Sequence, residues 1–200
     1  MLKSMFVVFV ALVTPLLVQP LSAADKCKAS YQEKDAFSGQ KIDVYEQAIA
    51  TQASWMSTAS MGVVLNARRV EGKIVVAVVV IRNESSAVNR SVTKAFAPAP
   101  KTPVQFKLKS GDIFELPVTE NTSSSGVSAS LLSQPVAREM IWMKSVLTPE
   151  NTPQVKAALT QPIQAMRIPL DGGGTFDIAA GKGMSDKVVE RMGCFFSTIQ

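Results

Sequence analysis

The chain has 200 residues, 46% of them hydrophobic and 18% charged, with two cysteines and no histidine. Its length suits one domain with a substantial core, and the missing histidines exclude a Ser-His-Asp triad or a His-activated thiol and leave few ligands for zinc or redox metals. The net charge of +5 is spread along the sequence, densest at Arg68-Arg69 and at Lys107 and Lys109, without interleaved aromatics; a nucleic-acid interface needs a concentrated basic stripe, so these charges read as solvated strand faces and no nucleic-acid partner is expected.

Lys3 is the only charge among residues 1–24, Met5–Val18 is apolar apart from Thr14 and Pro15, and Pro20 precedes Leu-Ser-Ala-Ala. A charged start, a short apolar run and small residues at the end are the features of a secretory signal. The run is too short to cross a bilayer comfortably, so an integral membrane protein is not expected. Residues 1–24 are therefore expected to be a signal peptide and 25–200 a single exported α+β domain, periplasmic or secreted. Cys27 and Cys194 in an exported chain read as one disulfide. Two free thiols or an intermolecular bridge are the alternatives.

Asp25–Gln40 is short and polar, with a turn at Ser38-Gly39 and Phe37 as an aromatic plug against the core. Lys41–Ser60 starts as a strand and is ambiguous after Glu46. Gly62–Val70, the turn Glu71-Gly72 and Lys73–Ile81 spell a hairpin. Its second run lacks any polar residue from Ile74 to Ile81, which predicts a central strand buried on both faces.

Asn83–Pro103 is a connector whose prolines favour an extended path. Val104–Lys109 alternates apolar and polar, Ser110-Gly-Asp112 turns, and Ile113–Val118 returns, with Pro117 placing that return near an edge or strand end. Thr119–Gln134 is rich in serine with little to bury, so 119–135 is expected to be a flexible loop, either a spacer or a flap.

Val136–Leu147 reads as a long strand with Met140, Ile141, Trp142 and Met143 in a buried middle. Thr148-Pro149 and Thr152-Pro153 each offer an N-cap followed by proline, ahead of a short helix burying Val155, Ala158 and Leu159. The last block holds a hairpin around Asp171-Gly-Gly-Gly174, with Phe176, Ile178 and Ala180 on one face. It then holds a helix capped by Ser185, whose Val188, Val189 and Met192 carry Cys194 to the sheet. The expected fold is α+β: a mainly antiparallel β-sheet of about six to eight strands with two short helices, the last at the C-terminus.

Each motif that could carry chemistry has a plainer structural explanation. Asp171–Asp177 could offer carboxylates and carbonyls to calcium, but a tight hairpin turn accounts for its glycines. Gly181-Lys-Gly183 before a helix fails the phosphate-loop spacing, since Phe176 stands where the first glycine belongs. The serine–lysine spacing occurs twice, at Ser91/Lys94 and Ser38/Lys41, without the companion motifs of acyl-transfer enzymes. Gly126–Ser130 misses the nucleophile elbow at its last position. Trp55 and Trp142 could stack on a sugar or peptide, with Trp142 assigned to the core. No catalytic, cofactor or metal residue is expected.

Cys27, the stretch Lys34-Asp-Ala-Phe-Ser-Gly39, Ala165-Met-Arg-Ile168, the glycine turn and the helix reaching Cys194 together resemble small exported bacterial proteins of unknown function. The resemblance covers both chain ends and implies no activity. The leading expectation is a non-enzymatic envelope domain binding a protein or envelope component, by an exposed sheet edge. The alternative is an envelope hydrolase using carboxylates or a Ser/Lys pair, with 119–135 as its lid.

Overall fold

The computed structural model describes residues 27–35, 38–53, 59–85, 97–129 and 135–199. These form ten strands in two antiparallel sheets and two helices. The larger sheet runs, from edge to edge, β1 (Tyr31–Lys34), β2 (Lys41–Ala53), β3 (Ala59–Val70), β4 (Lys73–Ser85), β8 (Pro135–Leu147) and β7 (Glu120–Ala129). The smaller runs β10 (Thr175–Ala179), β9 (Ile163–Pro169), β5 (Val104–Leu108) and β6 (Ile113–Leu116). Helix α1 (Thr152–Leu159) joins β8 to β9, and α2 (Met184–Ser197) packs on β2 and α1.

The β3–β4 hairpin forms where the sequence predicts it. Val70 pairs with Lys73 across a two-residue turn in which Glu71 and Gly72 both take positive φ, 48° and 78°. Turns of that hand match the right-handed twist of the flanking strands. β4 is central, between β3 and β8, and Val76–Val80 are buried without a break. The expected burial on both faces therefore holds.

Alternation along each strand sorts side chains to two faces. The inner face carries Leu65, Val78, Ile141 and Met143 and packs against Phe106, Leu116, Met166 and Ile168 of the small sheet. Val155 and Leu159 of α1 and Val188, Met192 and Phe195 of α2 complete this core. Phe195 stacks 5.5 Å from Tyr45 and 5.1 Å from Phe196. Each fully buried large side chain contributes about 1.5–3 kcal/mol from removed apolar surface.

Cys27 and Cys194 are disulfide-bonded, with Cα atoms 5.1 Å apart and a sequence separation of 167. Arg191 Nη1 donates to the Lys28 carbonyl at 2.6 Å, and Ser30 N donates to the Val44 carbonyl at 2.7 Å. The first described residues are thus tied to α2 and to β2.

Several expectations are corrected. The stretch expected as a flexible loop over 119–135 is strand β7 from Glu120 to Ala129, paired residue for residue with β8. Ser and Thr leave a strand with no apolar signature of its own, and the ladder to Pro135–Lys144 supplies the order. Strand β1 lies in the polar segment that had no predicted element. Ser185 is not the cap of α2: Gly183 is, with φ 71°, and Ser185 is buried within the first turn. The chain turns into the helix through a left-handed residue, which glycine adopts without penalty. Thr152 opens α1 from inside, and Asn151 occupies the cap position without a side-chain cap bond. Trp142 is half-buried against a second, smaller apolar core cluster on the other face of the sheet, while Ile141 and Met143 belong to the main core. The expected signal peptide, Phe37, Trp55, Ser91 and Lys94 lie outside the described residues, as does the 130–134 part of the expected loop.

Candidate functional site

The motifs singled out for chemistry are engaged structurally. Ser38 Oγ donates to Asp35 Oδ1 at 2.8 Å and accepts from Gln40 N at 3.2 Å, closing a turn rather than meeting Lys41. Gly172, Gly173 and Gly174 all have φ between 80° and 95° in the β9–β10 turn. A run of left-handed residues requires glycine, which accounts for the triplet. Asp171 Oδ1 accepts from Gly172 N, while Asp177 accepts two bonds from Arg167, at 2.8 and 2.7 Å. The Arg167 bonds hold the Asp177 carboxyl below the usual carboxylate range. Each aspartate is thus engaged by its own partner, and among the described residues no cluster of three metal-ligating side chains occurs.

Of the clefts on the described surface, two bear on the motifs and the disulfide. One, of about 320 Å³, lies between α2 and β2, with Gln47, Lys187, Glu190 and Arg191 around the Cys194 end of the disulfide. The other, of about 220 Å³, lies on the small sheet beside Ile113, Met166 and the Arg167–Asp177 pair. Each holds a single carboxylate, whereas hydrolysis by paired carboxylates needs two facing groups.

The edges of the sheets differ sharply. β1 and β6 have four residues each and β10 has five. β1 carries Glu33 and Lys34, and β6 stops before Pro117, features that blunt an edge. β7 is ten residues long, contains neither Pro nor Lys, and pairs with β8 from Glu120–Lys144 to Ala129–Pro135 without a register shift. Its other side meets no described strand. Asn121 Nδ2 donates to Ala99 O at 3.3 Å, anchoring the start of β7 to the segment leading into the small sheet. β7 is the one long, straight, unguarded edge among the described strands.

The outer face of the large sheet holds a second feature. Val64, Ala77 and Val79 form a small apolar cluster, with Ala48, Ile81, Met140 and Trp142 packed against it. The Arg68 guanidinium stands 5.7 Å from the Trp142 ring centre and bonds Glu33 at 2.9 Å. Glu46 Oε2 accepts from Tyr31 Oη at 3.2 Å and from Asn66 Nδ2 at 2.9 Å. Partial burial, then the Glu46 and Glu33 charges, push the Tyr31 phenol up to about 12. Sequence reasoning missed this face because Trp142 sits amid an unbroken apolar stretch, and only its pairing opposite Thr122 and Val79 shows which way it points.

Compared with known proteins, the chain matches no protein-family model, no curated protein and no solved structure. Among the described residues, no helix is long and apolar enough to cross a membrane.

Proposed function

We propose that the protein is an exported envelope domain, periplasmic or secreted, that binds an extended protein segment by adding it as a strand to β7. The observation that carries this reading is the ten-residue edge without proline, lysine or bulge. An unpaired edge of that length presents backbone donors and acceptors ready for another chain. Its side chains are small and polar, so recognition rests on main-chain bonds and tolerates varied sequences with slim side chains. The disulfide and the signal-like start support export. The hydrolase alternative has no comparable support, since each cleft carries one carboxylate.

Peptides selected by display on the disulfide-bonded protein provide the test. Bound peptide is expected to slow amide exchange over 119–129, and Ser124→Lys, an edge-guarding charge that keeps the backbone donor, is expected to abolish binding. Protection located elsewhere, with Ser124→Lys binding unimpaired, would sink the proposal.

A further inference from the structure

Helix α2 presents one face to the cleft beside β2. Lys187, Glu190 and Arg191 stand seven, four and three residues before Cys194, the spacing that aligns side chains along a helix. The cleft, of about 320 Å³, reaches Cys194, which keeps 8% of its surface open, and Cys27 is not among the residues lining it. Arg191 Nη1 bonds the Lys28 carbonyl at 2.6 Å, so that guanidinium is held beside the residue that follows Cys27. Lys187 makes no ion pair among the described residues. With Glu190 set against Lys187 and Arg191, the rim carries a small positive excess.

We infer that the Cys27–Cys194 bond is a thiol-exchange site in the folded protein, attacked at Cys194 through this cleft by a thiol that carries a negative charge of its own. Exchange at a disulfide depends on which sulfur the thiolate can reach and on how well the other sulfur leaves. The thiolate enters in line with the bond that breaks, from the side away from the leaving sulfur. A cleft that touches Cys194 and not Cys27 offers that approach. Cys27 is also the better leaving group. Lys28 follows it and Arg191 is fixed next to Lys28, and nearby cations stabilise a thiolate. Cys194 lies in the last turn of α2, where the helix carbonyls disfavour an anion.

The incoming thiolate bonds to Cys194 Sγ, the Cys27–Cys194 bond breaks, and its electron pair leaves on the Cys27 sulfur. A second molecule of the same thiol attacks the adduct, departs with the first as their oxidised dimer, and frees Cys194. Two thiols are oxidised, one protein disulfide is reduced, and the protons given up by the thiols pass to the two cysteines. The ladder of β1 on β2 and the Ser30 N bond to the Val44 carbonyl do not depend on the disulfide. They keep the freed cysteines close, so closure by an oxidised thiol is an intramolecular step. The cleft is separated from β7 by β3, β4 and β8, so exchange here is independent of strand addition there.

The disulfide-bonded protein, without denaturant and at low salt, is treated with glutathione, an anionic thiol, or cysteamine, a cationic one, then quenched by acid and digested for mass spectrometry. A mixed disulfide on the Cys194 peptide is expected, forming at a rate that rises in proportion to thiol concentration. In Lys187→Glu the ratio of the glutathione rate to the cysteamine rate is expected to fall by about tenfold. Each thiol serves as its own reference, so a general loosening of the variant, which speeds both, cannot imitate that change. An adduct found only on Cys27 overturns the inference. So does opening that levels off at the rate of global unfolding, or a rate ratio unchanged in Lys187→Glu.

Discussion

Arg68 and Trp142 stand on strands separated by β4, yet the guanidinium reaches to 5.7 Å from the indole centre. The Arg68 side chain is only 21% exposed and also bonds Glu33, so it links β1 to β8 across the outer face. Arg68→Ala is expected to destabilise by about 1–2 kcal/mol through the lost cation–π contact and stem packing, the partly exposed ion pair adding little. In a Trp55→Phe background, Trp142 emission should shift to the red. Unchanged emission with unchanged stability would show that the contact carries no weight.

The disulfide ties ends that are otherwise held by a few bonds. Replacing Cys27 and Cys194 together by serine is expected to destabilise by about 2–5 kcal/mol, given how long a loop is released. Urea unfolding measures it, and a midpoint shift equivalent to less than about 1 kcal/mol would contradict the expectation.

Gly183 has φ 71°, and a Cβ added there would meet nothing within 4 Å. The penalty of substitution is therefore backbone strain alone. Gly183→Ala is expected to lower stability by about 1–2 kcal/mol, and Gly183→Asn by less, because asparagine tolerates the left-handed region. Equal losses for the two would point to a steric cause instead.

Tyr31 should ionise late. Its pKa rises from 10.0 to about 12 in the folded protein, so the folded state holds the proton more tightly than the unfolded chain does. The associated stability is full below pH 10 and is lost as pH rises from about 10 to about 12. Ultraviolet titration should show a late phenol that disappears in Tyr31→Phe and moves down in Glu46→Gln. A Tyr31 midpoint at the ordinary value would refute the burial described for it.

Much of the fold was legible because hydrophobic period reports burial directly. The Glu71-Gly72 turn, the unbroken run of β4, the alternation of β5 and the apolar stripe of α2 each follow from one local rule. β7 was illegible for a physical reason: its order comes from a partner strand, and Ser and Thr carry no apolar period. The cap of α2 was misassigned because Ser185 has the right chemistry two residues too late, and backbone handedness at Gly183 decides. The direction of Trp142 was unreadable where apolar residues occupy both faces. The feature that carries the proposed function, a polar edge strand, is the one that local pattern describes least.

The position of Cys27 sets an order of events. A chain is synthesised from its N-terminus, so Cys27 emerges with 167 residues still to come before Cys194 exists. At typical elongation rates of about 5–20 residues per second, the first thiol waits roughly 10–30 s without its partner. The bond therefore cannot form until every strand of both sheets has been synthesised, because all ten lie between the two cysteines in sequence.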